Sequence, residues 1–171
     1  MNLDYQQLIP QNLSNKTRVW IYQSNRLFTL SEALQLEEEL KHFEDNWQSH
    51  GATVNASCFL FFGYFIILMA DEAETTVSGC STDSSVRFVK NIEQTYKVSL
   101  FDRTNLAFIV KDKIELLPLS QVNYAIENGY LNKTTLLFDN SIQDISAFKD
   151  KWLVPIADSW LGKRLNNKNN E

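Results

Sequence analysis

Residues 56–70 read ASCFLFFGYFIILMA, a run of 15 apolar or small residues that decides the fold. A membrane-spanning helix needs about 20 such residues, whereas this run has a glycine in its middle and polar residues on both sides. Aromatic and β-branched residues dominate it, which favours buried strands. We therefore predict two strands, Val54 to Phe62 and Tyr64 to Ala70, joined by a tight turn at Gly63 and Tyr64.

The residues before this run predict a strand and then a helix. Thr17 to Gln23, TRVWIYQ, is apolar on both faces, which is typical of a central strand. Thr29 and Glu32 match the S/T-x-x-E capping box that opens a helix, and Gly51 is the expected stop of that helix. The helix carries an apolar stripe at a spacing of three and four residues: Ala33, Leu36, Leu40, Phe43 and Trp47.

The residues after the run continue the alternation of helices and strands. A second helix is predicted to begin around Ser81 and Thr82, with a buried stripe of Val86, Val89, Ile92 and Tyr96. Further elements are predicted in the following order: a hairpin of Asn105 to Lys111 and Lys113 to Leu119, a short helix from Ser120 to Asn128 stopped by Gly129, and a strand from Thr134 to Asp139. A last helix, Ser146 to Leu165, should be kinked or split by Pro155.

The first 111 residues thus have the order β-α-β-β-α-β. This order is typical of a ferredoxin-like, split βαβ fold of the α+β class, in which helices cover one face of an antiparallel sheet. The remaining residues would add a C-terminal β-hairpin and helix. We expect an N-terminal arm at residues 1–16, a single α+β domain at 17–165 and a disordered tail at 166–171; the order of the strands stays open.

Composition and charge exclude several classes of function. The formal net charge is −5, and no basic stripe is present that would neutralise nucleic-acid phosphates. The five glycines form neither GxGxxG nor a Walker A loop, so both common nucleotide motifs are absent. Two cysteines are too few for a disulfide framework. The N-terminus lacks the pattern of a signal peptide, so we expect a cytoplasmic protein without nucleic acid or membrane as partner.

The segment from Ser78 to Arg87, SGCSTDSSVR, is the strongest candidate for a ligand site. Helix N-termini carry free N–H groups and partial positive charge, which favour anions. Gly79 would let backbone approach a ligand, and Arg87 or Arg103 would supply charge for a small anion such as a phosphate or a carboxylate. Hydroxyl and thiol groups of the same helix start complete the candidate set: Cys80, Ser81, Thr82, Ser84 and Ser85.

Two other interpretations of this segment stay open. Serine and threonine cap helices without any ligand, and Asp83 both complements the helix dipole and repels an anion. Helix N-termini in general favour negative charge, so the position of Cys80 suggests a nucleophile of a thiol enzyme or a transferase. The C-x5-R spacing of phosphatase loops is missed by one residue, because six residues separate Cys80 from Arg87.

The remaining reactive side chains predict little. Cys58 lies in an apolar strand and is expected to be core. His42 has Glu38 and Glu39 four and three residues before it, but no second histidine follows at the spacing of a metal site. Acidic residues 71, 72 and 74 match no EF-hand pattern. We predict neither a metal nor a cofactor.

The segment SGCSTDSSVRFVK, followed by YKVSLFDR, resembles a family of small proteins of Bacteroidetes with the motif SGCS-[IT]-D-S-S-V and a later F-[DN]-R. The resemblance covers Thr17 to about Arg164. Members are often labelled "ABC transporter ATPase", which the missing Walker A loop contradicts, and the resemblance assigns no role to its matching positions. These positions are Gly79, Cys80, Ser81, Asp83, Ser84, Ser85, Asp102 and Arg103.

Three functions are therefore compatible with the sequence. The first is a cytoplasmic binding or regulatory domain for a small anion at residues 79–87, in which Arg103 either supplies charge for the anion or forms a structural pair with Asp102. The second is a thiol enzyme that uses Cys80. The third is an interaction protein that forms a homodimer through a sheet edge or through the helix of Trp152 and Trp160.

Overall fold

The apolar run at residues 56–70 forms the centre of a three-stranded antiparallel sheet in the computed structural model, which describes residues 2–163. The strands are β1 (Thr17–Gln23), β4 (Asn55–Phe61) and β5 (Phe65–Asp71), in the order β1-β5-β4. All seven residues of β5 are buried. The two predicted strands are confirmed, and β5 rather than β1 is central.

The turn between β4 and β5 lies one residue earlier than predicted. Phe62 and Gly63 both have a positive φ, of 56° and 67°, as the middle residues of a type I′ hairpin turn require. Among residues 2–163, no helix is long and apolar enough to cross a membrane.

Two helices, α1 (Leu30–Asn46) and α2 (Gly79–Tyr96), contribute to the main core with residues of the sheet. Their predicted existence and the capping box of α1 are confirmed. The core contains the following buried residues: Tyr22, Phe28, Leu36, Leu40, Ile66, Leu68, Val89 and Ile92.

Gly51 is not the stop of α1, which corrects the prediction. The helix ends at Asn46, and the chain then forms a small hairpin of β2 (Gln48–Ser49) and β3 (Ala52–Thr53). Gly51, with a φ of 81°, lies in the turn of this hairpin. A glycine tolerates a left-handed conformation in either context, so its presence alone did not distinguish a helix end from a hairpin.

The opposite face of the sheet is covered by segments from both ends of the chain. Tyr5 lies in a 3-10 helix (Tyr5–Leu8), and its hydroxyl donates to the carbonyl of Phe148 in α4 (Ile145–Lys151) at 2.8 Å. The Tyr5 and Phe148 rings lie 5.3 Å apart, and both rings contact Phe61. The predicted N-terminal arm therefore contains a residue that is buried against the sheet.

A second antiparallel sheet has the order β7-β6-β8-β9. Its strands are β6 (Asn105–Val110), β7 (Lys113–Pro118), β8 (Leu136–Phe138) and β9 (Leu153–Pro155), and α3 (Val122–Glu127) contributes to its core. The predicted hairpin is confirmed, with its turn at Lys111 and Asp112.

The predicted helix from Ser146 to Leu165 is wrong in its middle. The helix α4 ends at Lys151, and β9 pairs with β8 instead. Proline lacks an amide proton and disrupts a helix interior, and Pro155 ends the strand that replaces the helix. Trp152 is fully buried, and its indole N–H donates to the side chain of Asn140 at 3.1 Å, so it is unavailable as the exposed tryptophan of a dimer surface.

The chain divides into two compact units. The first unit comprises Asp4–Asp102 with Ser141–Lys149, and the second comprises Arg103–Asn140 with residues 2–3 and 150–163. The α+β class is confirmed. The ferredoxin-like topology is not confirmed, because that topology would place β6 beside β1, whereas β6 pairs with β7 and β8. The predicted single domain stays a prediction, and the predicted tail at 166–171 lies outside the described residues.

Candidate functional site

The helix α2 begins with a hydroxyl cap that belongs to a buried network. Ser78 is the N-cap residue, and its hydroxyl accepts a hydrogen bond from the amide of Ser81 at 3.2 Å. The Ser81 hydroxyl lies 2.8 Å from that of Ser78 and donates to the carbonyl of Gln48 at 2.8 Å. Ser81 is only 2% exposed. Its hydroxyl therefore bonds to the β2–β3 hairpin rather than to water.

The other predicted hydroxyl donors also bond within the helix. The hydroxyl of Thr82 donates to the Ser78 carbonyl at 3.1 Å, that of Ser84 to the Ser81 carbonyl at 2.7 Å, and that of Ser85 to the Thr82 carbonyl at 2.8 Å. Ser85 is fully buried. The structure thus brings the four predicted hydroxyl residues together, with their protons directed to backbone carbonyls.

Trp47 holds this helix start against the core. Its indole N–H donates to the carbonyl of Ser81 at 3.0 Å, and its side chain is 2% exposed. The Trp47 ring lies 5.1 Å from that of Phe43 and 5.8 Å from that of Trp20. Sequence reasoning placed Trp47 on the buried stripe of α1 but missed its contact with Ser81, since 34 residues separate the two.

Three of the predicted site residues on α2 are exposed to solvent, and the fourth exposed one, Arg103, lies outside this helix. Gly79, Cys80 and Arg87 are exposed, and a Cβ atom added to Gly79 would meet no atom within 4 Å. Cys80 and Arg87 are seven residues apart, so they share one face of α2 at about 10 Å along its axis. Arg103 belongs to the second unit, where its guanidinium donates to the carbonyl of Asn140 at 3.3 Å.

The second cysteine is a core residue, as predicted. Cys58 is half-buried and packs against the main core. Burial, with a contribution from the Glu44 carboxylate, raises the pKa of the Cys58 thiol far above its ordinary value. The thiol is therefore neutral. The backbone amide of Cys58 donates to Glu44 at 2.7 Å, so a side chain of α1 covers part of the outer edge of β4.

Two of the three acidic residues considered as cation ligands, Asp71 and Glu72, have structural partners. Asp71 is buried and accepts hydrogen bonds from the amide and hydroxyl of Ser14 and from the amide of Ala73. Although burial opposes ionisation, these hydrogen bonds lower the pKa of Asp71. Glu72 lies 3.5 Å from Arg18. Within residues 2–163, no group of three or more His, Cys, Asp or Glu side chains could hold a metal ion.

The outer surface of α1 carries a feature that the sequence analysis did not single out. Leu30 is 78% exposed and Leu34, one turn later, is 57% exposed. Glu37 and Glu38 follow on the same side of the helix, because residues separated by four, seven or eight positions share a face. We call these four residues the leucine–glutamate face. Sequence reasoning could have found it, since both leucines lie outside the buried stripe of α1.

Leu34, Glu37 and Glu38 also line a shallow hollow, together with Lys41, His42 and Asp45. Lys41 lies 2.8 Å from Glu44 and 2.9 Å from Asp45, so these carboxylates balance its charge. Glu37 and Glu38 have no hydrogen bond or ion pair with any residue between 2 and 163. The hollow therefore combines an exposed apolar side chain with two unpaired negative charges.

No family model, curated protein or solved structure matches this chain. The resemblance to the Bacteroidetes family therefore stays a prediction.

Proposed function

We propose that this protein is a binding module that docks a partner macromolecule on the leucine–glutamate face. The observation that carries the proposal is the exposure of Leu30 and Leu34, at 78% and 57%, one turn apart on one helix. Adjacent exposed apolar side chains are typical of interaction sites. Burial of the exposed part of each leucine against a partner would contribute about 1–2 kcal/mol.

The structure of α1 supports this role because the face is held in place before any partner arrives. The capping box of Thr29 and Glu32 defines the first turn, where Leu30 lies. Leu36 and Leu40 anchor the opposite side of the helix in the core. A rigid face loses little conformational entropy on binding, which leaves more of the interaction energy for affinity.

A selection of displayed random peptides on the immobilised protein tests the proposal. We expect selected peptides to bind the wild type and to lose binding to the double variant Leu30→Glu/Leu34→Glu. The matched control is Leu8→Glu, which places the same charge at another leucine that is 62% exposed. Selected peptides that bind the double variant as well as the wild type would overturn the proposal, as would a selection that yields no peptide.

A second candidate function is a small-anion site at the start of α2. It is favoured by the open surroundings of Gly79 and by the shared face of Cys80 and Arg87. The amides of the first turn, rather than the hydroxyls, would hold the anion. We expect millimolar phosphate to raise the melting temperature of the wild type but not of Arg87→Ala. The absence of any shift in the wild type would exclude this candidate.

A further inference from the structure

We infer that the partner of the leucine–glutamate face is a basic amphipathic helix, an inference that rests on the function proposed above. The partner would place two apolar side chains on Leu30 and Leu34 and lysine or arginine side chains opposite Glu37 and Glu38.

The first reason is the distribution of charge on α1. The helix carries six acidic residues against one basic residue. Four of the six have partners: Glu32 with Arg26, Glu39 with the hydroxyl of Tyr96, and Glu44 and Asp45 with Lys41. The two that have none within residues 2–163 are the two that follow the exposed leucines. Two carboxylates without partners among the described residues therefore lie beside the exposed apolar surface.

The second reason is the geometry of the face. From Leu30 to Glu38 the face extends over eight residues, which corresponds to about 12 Å or a little more than two turns. Exposed ridges on a helix with this spacing fit the grooves of another helix, and amphipathic partner helices present their anchors at the same spacing. Because apolar and acidic residues follow one another along the axis, the complementary helix would have an apolar end and a basic end.

Charge also favours a basic helix over two other occupants of the leucine–glutamate face, a second copy of this chain and an anionic membrane. In a symmetric dimer through this face, the same surface of both copies would meet, which would bring four unpaired glutamates together. An anionic membrane would repel the same carboxylates. A basic helix is the occupant for which both the leucines and the glutamates contribute to binding, because opposite charges across an interface favour the correct partner.

Two synthetic helical peptides with identical leucine positions test the inference. One carries lysine and arginine at its remaining surface positions, and the other carries glutamate there. We expect the wild type to bind the basic peptide about fivefold or more tightly than the acidic one in fluorescence anisotropy, as two exposed ion pairs would produce. High salt should reduce this preference.

The variant Glu37→Lys/Glu38→Lys should lose or reverse the preference. A matched control is Glu74→Lys, which changes an exposed acidic residue outside α1 and should leave the preference unchanged. Circular dichroism of each variant checks that the helices are retained. A preference that persists in the double variant would overturn the inference.

Failure of the inference can be distinguished from failure of the proposed function. If both peptides bind equally and Leu30→Glu/Leu34→Glu abolishes both interactions, the face is a docking site but the charge preference is wrong. If neither peptide binds, the basic helix is excluded, while the random-peptide selection still decides the function. Two further results would overturn the inference: a dimer in sedimentation, or binding to phosphatidylserine vesicles. In each case the result counts only if Leu30→Glu/Leu34→Glu abolishes that dimer or that vesicle binding.

Discussion

The two long helices of the first unit begin with the same chemistry and use it differently. In α1, Thr29 and Glu32 form a reciprocal capping box near the surface, and the following leucine is exposed. In α2, Ser78 caps the helix, and the following serine at position 81 is buried and bonded to Gln48. A hydroxyl cap thus defines where a helix begins, while the surroundings decide whether its first turn faces solvent or the core.

At both helices, the exposure of the side chains differs from what the composition of the segment suggests. The hydroxyl-rich start of α2 is polar in sequence, yet Ser81 and Ser85 are buried. The outer side of α1 belongs to an acidic segment, yet it exposes Leu30 and Leu34. The polar or apolar composition of a helix start therefore does not by itself show which of its side chains face solvent.

The largest expected effect concerns the tryptophan beneath the start of α2. Trp47→Ala should destabilise the protein by about 3–5 kcal/mol, because it leaves a cavity in the core and removes the donor to the Ser81 carbonyl. Urea unfolding followed by circular dichroism measures the loss. Trp47→Phe, which keeps a ring but not the donor, should cost less. A loss below about 1 kcal/mol for Trp47→Ala would show that α2 does not depend on this contact.

Ser81→Ala should destabilise by about 1–1.5 kcal/mol, because the buried Ser81 hydroxyl loses its hydrogen bonds to the Ser78 hydroxyl and the Gln48 carbonyl. The control is Ser84→Ala, in which a half-buried hydroxyl that donates to a carbonyl of its own helix is removed; its effect should lie within about 0.5 kcal/mol. Chemical denaturation of the two variants provides the comparison. Equal losses would contradict the distinction between the inward and outward sides of α2.

Thr29→Ala should cost about 1 kcal/mol, the usual effect of removing a helix N-cap, because the amide of Glu32 loses its acceptor. The same denaturation experiment measures this loss. Thr29→Ser, which keeps the hydroxyl, should restore most of the stability. If Thr29→Ala had no effect, the capping box would not define the start of α1.

The smallest effect concerns the pH dependence of stability at the start of α1. The guanidinium of Arg26, aided by the amide of Thr29, lowers the pKa of Glu32 from 4.5 to about 2. A lowered pKa in the folded state stabilises the protein above the unfolded pKa, and this contribution is lost as the pH falls through the folded pKa. The stabilisation should thus be complete above about pH 4.5 and disappear towards pH 2.

Glu32→Gln tests this pH dependence, because glutamine preserves the capping box but not the ion pair. The stability difference between wild type and variant, measured by urea unfolding from pH 6 to pH 2, should shrink as the pH falls. A difference that stays constant over this range would contradict the role of the ion pair.

Part of the candidate site could be predicted from the sequence. The position of α2 and its hydroxyl cap follow from residues within one turn of each other. The burial of Ser81 and Ser85 was also accessible, since both continue the spacing of Val89, Ile92 and Tyr96 toward the N-terminus. The contacts of Ser81 with Gln48 and Trp47 could not be predicted from the sequence, because they join residues more than 30 positions apart.

By itself, the sequence determined the four strands of the two hairpins β4–β5 and β6–β7, the capping box of Thr29 and the α+β class. These features depend on periodicity and turn chemistry within a few neighbouring residues. Only the tertiary structure decided that β6 joins a second sheet, that Leu153–Pro155 is a strand, and that the Ser81 hydroxyl is buried against Gln48. Strand pairing and burial depend on which distant segments lie alongside, and the local spacing of residues does not specify those neighbours.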